Sequence, residues 1–234
     1  MNILLFGATG MVGQGVLREC LLTPDVKLVK TICRTATGVH NSKLHDTVVA
    51  DIFNVVAYES QLSGFDACFF CLGVTSAGMT EETYTRLTYT LTTTVAEKLA
   101  QRNPGMTFIY VSGSGTDSSE RGRSMWARVK GRTENALLGM GFRAAYMFRP
   151  GFILPLDGIQ SKTKSYRIFY TVLKPVLPMM HRAFPKWILS TREIGEAMLI
   201  AARTGAPKPV LETKDIRKLL QVDLWDRKAK VEGT

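Results

Sequence analysis

Gly7-Ala8-Thr9-Gly10-Met11-Val12-Gly13 spaces three glycines by threes, directly after the apolar run 3–6 and at the opening of a helical pattern over 12–22. Glycine lets a backbone turn sharply and approach a bound group closely, and the free N–H groups at a helix start attract negative charge. That combination suits a pyrophosphate, held by Gly7, Thr9, Gly10, Met11, Val12 and Gly13, with Gly13 also letting the helix lie close to the sheet. Without the strand before it and the helix after it, the same triplet would mean only a tight turn.

About 20 residues further on, a dinucleotide site of this layout carries an acid for the ribose 2′-hydroxyl of NAD. Here the chain reads Ile32-Cys33-Arg34. No acid is present, and the guanidinium fork of Arg34 suits a 2′-phosphate. The expected cofactor is NADP(H), with NAD(H) second and a solvated Arg34 as the alternative. Asp51 and Ile52, at the end of an expected third strand, fall where the adenine edge would lie, although an ordinary turn Asp explains Asp51 nearly as well. Other chemistry is thin. Three histidines, His40, His45 and His181, exclude a His-rich metal site and weigh against a Ser-His-Asp hydrolase, so no metal is expected. Cys68 and Cys71 have CxxC spacing, but residues three apart on a strand face opposite ways. With Cys20 and Cys33, they read as reduced and buried.

The elements that must position these residues alternate. Strands are expected at 3–6, 27–33, 47–52, 65–72, 106–111 and 143–148, and helices at 12–22, from Thr80 to the Asn103-Pro104-Gly105 stop, and at 124–138. Repeated βα units of this length imply right-handed crossovers and an α/β, doubly wound parallel sheet of Rossmann type. After Pro150 the prolines at 155, 175, 178 and 185 break the pattern into a small, largely helical appendage over 151–190 on the substrate side. Ser190-Thr191-Arg192-Glu193 reads as a capping box opening a helix to about 203, followed by a short strand at 209–212 and a helix or turn near 216–220. At 234 residues and 45% hydrophobic, the chain is expected to form one domain over 1–234. The first residues lack a basic leader and no apolar run reaches membrane-spanning length, which makes the cytoplasm the expected compartment.

These residues together resemble the atypical and extended short-chain dehydrogenase/reductases, among them the small epimerase-like NAD(P)-binding members and the Tat-interacting-protein-like oxidoreductases. GATGMVG, Gly73 after the fourth strand, Ser112 after the fifth, a helix with Lys130, and Arg149-Pro150-Gly151 carry the resemblance over roughly residues 1–155. It implies a reductase or epimerase-like oxidoreductase acting on a small carbonyl or hydroxyl compound, with Leu72, Gly73, Lys130, Pro150 and Gly151 beside the cofactor. It also implies catalytic roles for Ser112 and Lys130 and for a Tyr four residues before the lysine. Trp126 stands there instead, and an indole N–H donates a hydrogen bond but does not exchange its proton near neutral pH. Three readings remain open. Lys130 itself transfers the proton; or Tyr84, Tyr89 or Tyr166 enters the site; or the protein binds NADP(H) without chemistry and reports redox state to a regulatory protein partner.

Thirty basic against twenty acidic residues give +10, which favours an anionic partner. Arg121, Arg123, Arg128, Lys130 and Arg132 lie between Glu120 and Glu134 with no acid among them. In 162–187, Lys162, Lys164, Arg167, Lys174, Arg182 and Lys186 interleave with Tyr166, Phe169, Tyr170, Phe184 and Trp187. A lid over an anionic small-molecule substrate, a peripheral membrane contact and a plain solvated face all fit that segment. Nucleic acid is not expected, because no recognition motif accompanies the charge.

Overall fold

Short apolar runs separated by helix-length segments bury themselves well only as parallel strands covered on both faces. A computed structural model of the chain, describing residues 1–159 and 187–232, has this arrangement. In chain order the strands are β1 (Asn2–Phe6), β2 (Leu28–Cys33), β3 (Leu44–Val48), β4 (Ala67–Phe70), β5 (Thr107–Val111), β6 (Ala144–Arg149), β7 (Phe152–Leu154), β8 (Ile188–Ser190) and β9 (Val210–Glu212). Seven of them form one sheet in the order β3-β2-β1-β4-β5-β6-β9, every neighbouring pair parallel. The order reverses between β1 and β4, so the loops leaving those strands diverge and open a crevice at their carboxyl ends.

Side-chain alternation divides the core between the two faces. Ile3, Leu5, Phe69, Ile109 and Phe148 pack with helices α1 (Met11–Leu22) and α5 (Thr191–Thr204). Leu4, Phe6, Phe70, Phe108 and Tyr110 pack with Val95 and Leu99 of α3 (Leu91–Arg102) and Leu137 of α4 (Met125–Leu138). Cys68 belongs to the second cluster and Cys71 packs against the first, and no disulfide joins any of the four cysteines. The side chain of Thr80 caps α2 (Glu81–Thr85), and a π turn at Arg86–Thr90 joins it to α3. The capping box is formed as expected, with Ser190 and Glu193 reciprocally bonded at the start of α5. The last helix, α6 (Thr213–Glu232), is longer than its sequence pattern indicates.

The third strand lies earlier than 47–52. The Asp46 carboxylate accepts from Thr31 Oγ1 and from Thr37 N and Oγ1, all at 2.7 Å, which fixes Asp46 opposite Thr31 in the ladder. Asp51 follows the strand as a turn residue, its carboxylate accepting from Phe53 N at 2.9 Å. Beyond Pro150, β7 and β8 pair in a separate two-stranded parallel sheet. The helical pieces expected within 151–190, most of the basic-aromatic 162–187 segment, and Tyr166 lie outside the described residues. Among the described residues no helix is long and apolar enough to cross a membrane.

Candidate functional site

The glycine loop is packed from behind by backbone. Gly7 adopts φ +81, and a Cβ on it would stand 2.7 Å from the Cys71 carbonyl. A Cβ on Gly13 would stand 2.0 Å from Gly7 O, whereas one on Gly10 would lie 3.3 Å from the same oxygen. Gly10 is the N-cap of α1, donating to Gly7 O and accepting from Gln14 N, both at 2.9 Å. The N–H groups of Met11, Val12 and Gly13 therefore begin the helix without intrahelical acceptors, which is the arrangement an anion needs. Beside them lies a cavity of about 270 Å³ whose wall includes Gly7, Thr9, Ile32, Arg34, Ile52 and Leu72. Arg34 is exposed at the rim and Gly73 is exposed just past the wall. Ile52 is buried in the wall, while Asp51 faces its own turn. A glycine cradle that Cβ atoms would fill, free helix-start donors and an adjoining cleft fit the phosphates and adenosine of a nicotinamide dinucleotide.

The second part of the site is carried by α4, which presents Trp126, Lys130 and Glu134 on successive turns of one face. Lys130 Nζ donates to the Ser112 carbonyl oxygen. The Ser112 hydroxyl donates to Glu134 Oε1 at 2.5 Å and lies 3.2 Å from Phe148 O. Glu134 is fully buried and also accepts from Arg149, whose Nε lies 3.0 and 3.2 Å from its two oxygens and whose Nη2 lies 2.5 Å from Oε2. Arg149 reaches Ser118 Oγ at 2.5 Å and Glu212 at 3.3 Å as well.

In this geometry the hydroxyl of Ser112, for which the resemblance implies a catalytic role, is bonded to Glu134. A hydroxyl has one proton, and a carboxylate removed from water binds the donors available to it, so Ser112 is turned inward to Glu134. Lys130 is half-buried as a residue, but its ammonium end is enclosed. Burial lowers its pKa to about 8, with the Glu134 charge acting in the opposite direction. The Trp126 ring lies over the backbone at Gly115. Tyr84 is buried with its hydroxyl bonded to Thr88, and burial raises its pKa. Tyr89 stacks with Arg132, whose guanidinium lies 4.2 Å from the ring centre. Neither tyrosine stands in the Ser112–Lys130–Glu134 network. Pro150 O accepts from Ser114 N at 2.9 Å and Gly151 N donates to Thr213 Oγ1 at 2.8 Å, so both hold loops together at this end of the sheet. The basic run on α4 is partly neutralised, Arg128 pairing with Glu81 at 2.6 Å. Sequence reading missed Glu134, although it stands four residues after Lys130 and so had to share its face.

The doubly wound parallel sheet and the glycine loop after β1 give the chain a Rossmann fold, one shared with solved short-chain dehydrogenase/reductase proteins. No family model matches the chain. A relative from Emericella nidulans, "Protein fmp52, mitochondrial", is 31% identical over 159 residues, covering 65% of this chain and 66% of its own length. "Protein FMP52, mitochondrial" from Chaetomium globosum is 25% identical over 95% of this chain and 98% of its own. Among solved structures, a short-chain dehydrogenase/reductase superfamily protein from Agrobacterium tumefaciens with bound NAD superposes with TM-score 0.63 at 13% identity, covering 91% of this chain and 77% of that one. The carbonyl reductase Sniffer of D. melanogaster superposes with TM-score 0.64 at 13% identity, covering 92% and 97%. The mitochondrial names of the sequence relatives overturn the cytoplasmic expectation.

Proposed function

We propose that the protein is an NADP(H)-dependent oxidoreductase of small carbonyl or hydroxyl compounds in which Lys130 is the proton donor. The enclosed Lys130 ammonium on α4 carries this reading. When bound, the nicotinamide supplies or takes up a hydride. Gly7, Gly10, Gly13 and the N–H groups of Met11 and Val12 hold the phosphates, and Arg34 meets the 2′-phosphate. Reduction also needs a proton at the carbonyl oxygen, which Trp126 cannot give and the inward hydroxyl of Ser112 does not offer. Lys130 retains a proton at neutral pH yet releases it more readily than an exposed lysine does, as a general acid requires. It then recovers a proton from solvent. The names of the relatives make a mitochondrial setting the reading for its place in the cell.

The test is NADPH consumption over a panel of aldehydes and ketones by the wild type and by Lys130→Met. The variant should lose about 100-fold or more in turnover while still binding NADPH. Retained turnover would remove Lys130 as the donor. The second reading, a redox sensor, is favoured by Trp126 and by the inward Ser112. No wild-type turnover on any compound, together with partner capture that differs between NADPH and NADP⁺, would establish the sensor in place of the enzyme.

A further inference from the structure

Ser112 is gripped from two sides by one helix. Its carbonyl accepts from Lys130 and its hydroxyl donates to Glu134, one turn further along α4. Glu134 has no solvent exposure, and its donors come from two strand ends: Ser112 after β5 and Arg149 at the end of β6. A buried carboxylate is costly, and a structural need for the Ser112 turn could be met by a neutral acceptor. What a neutral acceptor does not provide is a negative charge beside Lys130.

We propose that Glu134 is the positioning residue of this site: through Ser112 it fixes where the Lys130 ammonium points, and its charge keeps that enclosed amine protonated at neutral pH. Arg149 limits the effect by neutralising part of the same charge at 2.5 Å. Among the described residues, Tyr110 on β5 lies near Glu134 with Tyr84 on α2 beyond it, and Glu212 on β9 meets Arg149. Burial holds both phenols protonated through the neutral range, and Glu212 reaches the cluster only through Arg149, at 3.3 Å. Among the described residues Glu134 is therefore the anion with direct leverage on Lys130. Its removal leaves burial unopposed, and the lysine deprotonates at lower pH.

This proposal rests on reading Lys130 as the proton donor, but its test needs no substrate. Competitive labelling of amines with acetic anhydride across pH, read by mass spectrometry at Lys130, gives that residue's titration midpoint in the folded protein. In the wild type the midpoint should lie near 8. Glu134→Gln should lower it by about one unit, and Glu134→Asp, which keeps the charge, should restore most of the difference. A wild-type midpoint in the ordinary lysine range would overturn the proposal whether or not any variant folds. An unmoved midpoint in a folded Glu134→Gln, with a lower melting temperature only, would also overturn it, since that is the signature of a purely structural carboxylate. Failure to find a carbonyl substrate would count against the oxidoreductase reading and leave these labelling results standing.

Discussion

Replacing Gly13 by alanine puts a methyl group 2.0 Å from Gly7 O, 2.6 Å from Gly7 C and 3.0 Å from Ala8 Cα. The first distance is about 1 Å inside the 3.0 Å that real Cβ atoms essentially never cross. Every neighbour is backbone, so no side chain can swing aside, and α1 must lift from the loop or the loop must open. Val16, Leu17 and Cys20 of α1 are buried in the core, which resists the lift. Overpacking of this kind costs about 2–3 kcal/mol, which in a chain of this size lowers Tm by roughly 4–12 °C. The same displacement misaims the N–H groups of the first turn. Loss of one charge-assisted hydrogen bond, worth about 1.5–3 kcal/mol, weakens NADPH binding roughly 10- to 100-fold. Gly10→Ala is the control for stability, because its Cβ meets a single atom at 3.3 Å and its φ of −83 is ordinary; its Tm should move by about 2 °C or less. Thermal melts followed by circular dichroism and fluorescence titration with NADPH read both effects. A Gly13→Ala protein with unchanged Tm and affinity, or one more stable than Gly10→Ala, would refute the argument.

Arg34→Asp should weaken NADPH binding by about 1.5–3 kcal/mol and leave NADH binding unchanged or improved, as calorimetry would show; equal losses for both would detach Arg34 from the 2′-phosphate. Trp126→Tyr, which puts an ionisable hydroxyl one turn from Lys130, should raise carbonyl turnover, and unchanged rates would mean that this position does not reach the substrate. Reduction by wild type should fall as pH rises through about 8, because the proposed donor is the protonated Lys130. The stability effect of the same group has the opposite sign. The folded pKa lies below the unfolded value of about 10.4, so the unfolded chain binds more protons between those two values and stability rises with pH across that window. Chemical denaturation of wild type and Lys130→Met at pH 7.5 and 10 checks this: the wild type should gain relative to the variant, and a constant difference would contradict it.

The glycine-loop half of the candidate site was legible in the sequence as structure because it rests on features that leave strong local marks. The glycine triplet, the run before it and the helical period after it needed no tertiary information, and the Ser190–Glu193 capping box was equally local. Side-chain direction at the other half was not local. Ser112 ends a strand, and whether its hydroxyl meets solvent or the interior depends on Glu134, 22 residues away, and Arg149, 15 further on. The π turn at Arg86–Thr90 was also hidden. Thr92 and Thr93 bond back to Thr88 O and Tyr89 O, a competition with the helix ladder that an apolar stripe does not reveal. The shift of β3 has the same origin, since the residues 47–52 look more strand-like than Asp46, yet it is the carboxylate of Asp46 that sets the register.

The two halves also differ in what they tolerate. The proposed phosphate binding rests on backbone N–H groups and on space kept free of Cβ atoms, so it tolerates changes in side chains elsewhere in the cleft. The proposed proton transfer rests on side chains of one helix face, so a change at one turn alters what the next must do. In the proposed oxidoreductase, with Trp126 in place of an acid, Lys130 has to hold a proton at neutral pH and also give it up. Burial alone favours the second of these and undermines the first. A carboxylate one turn further on, itself restrained by Arg149, supplies the opposing influence. On the proposed reading Trp126, Lys130 and Glu134 make sense as a set: an indole at the first position puts the demand for a proton on the second, and the charge at the third is what allows the second to meet it.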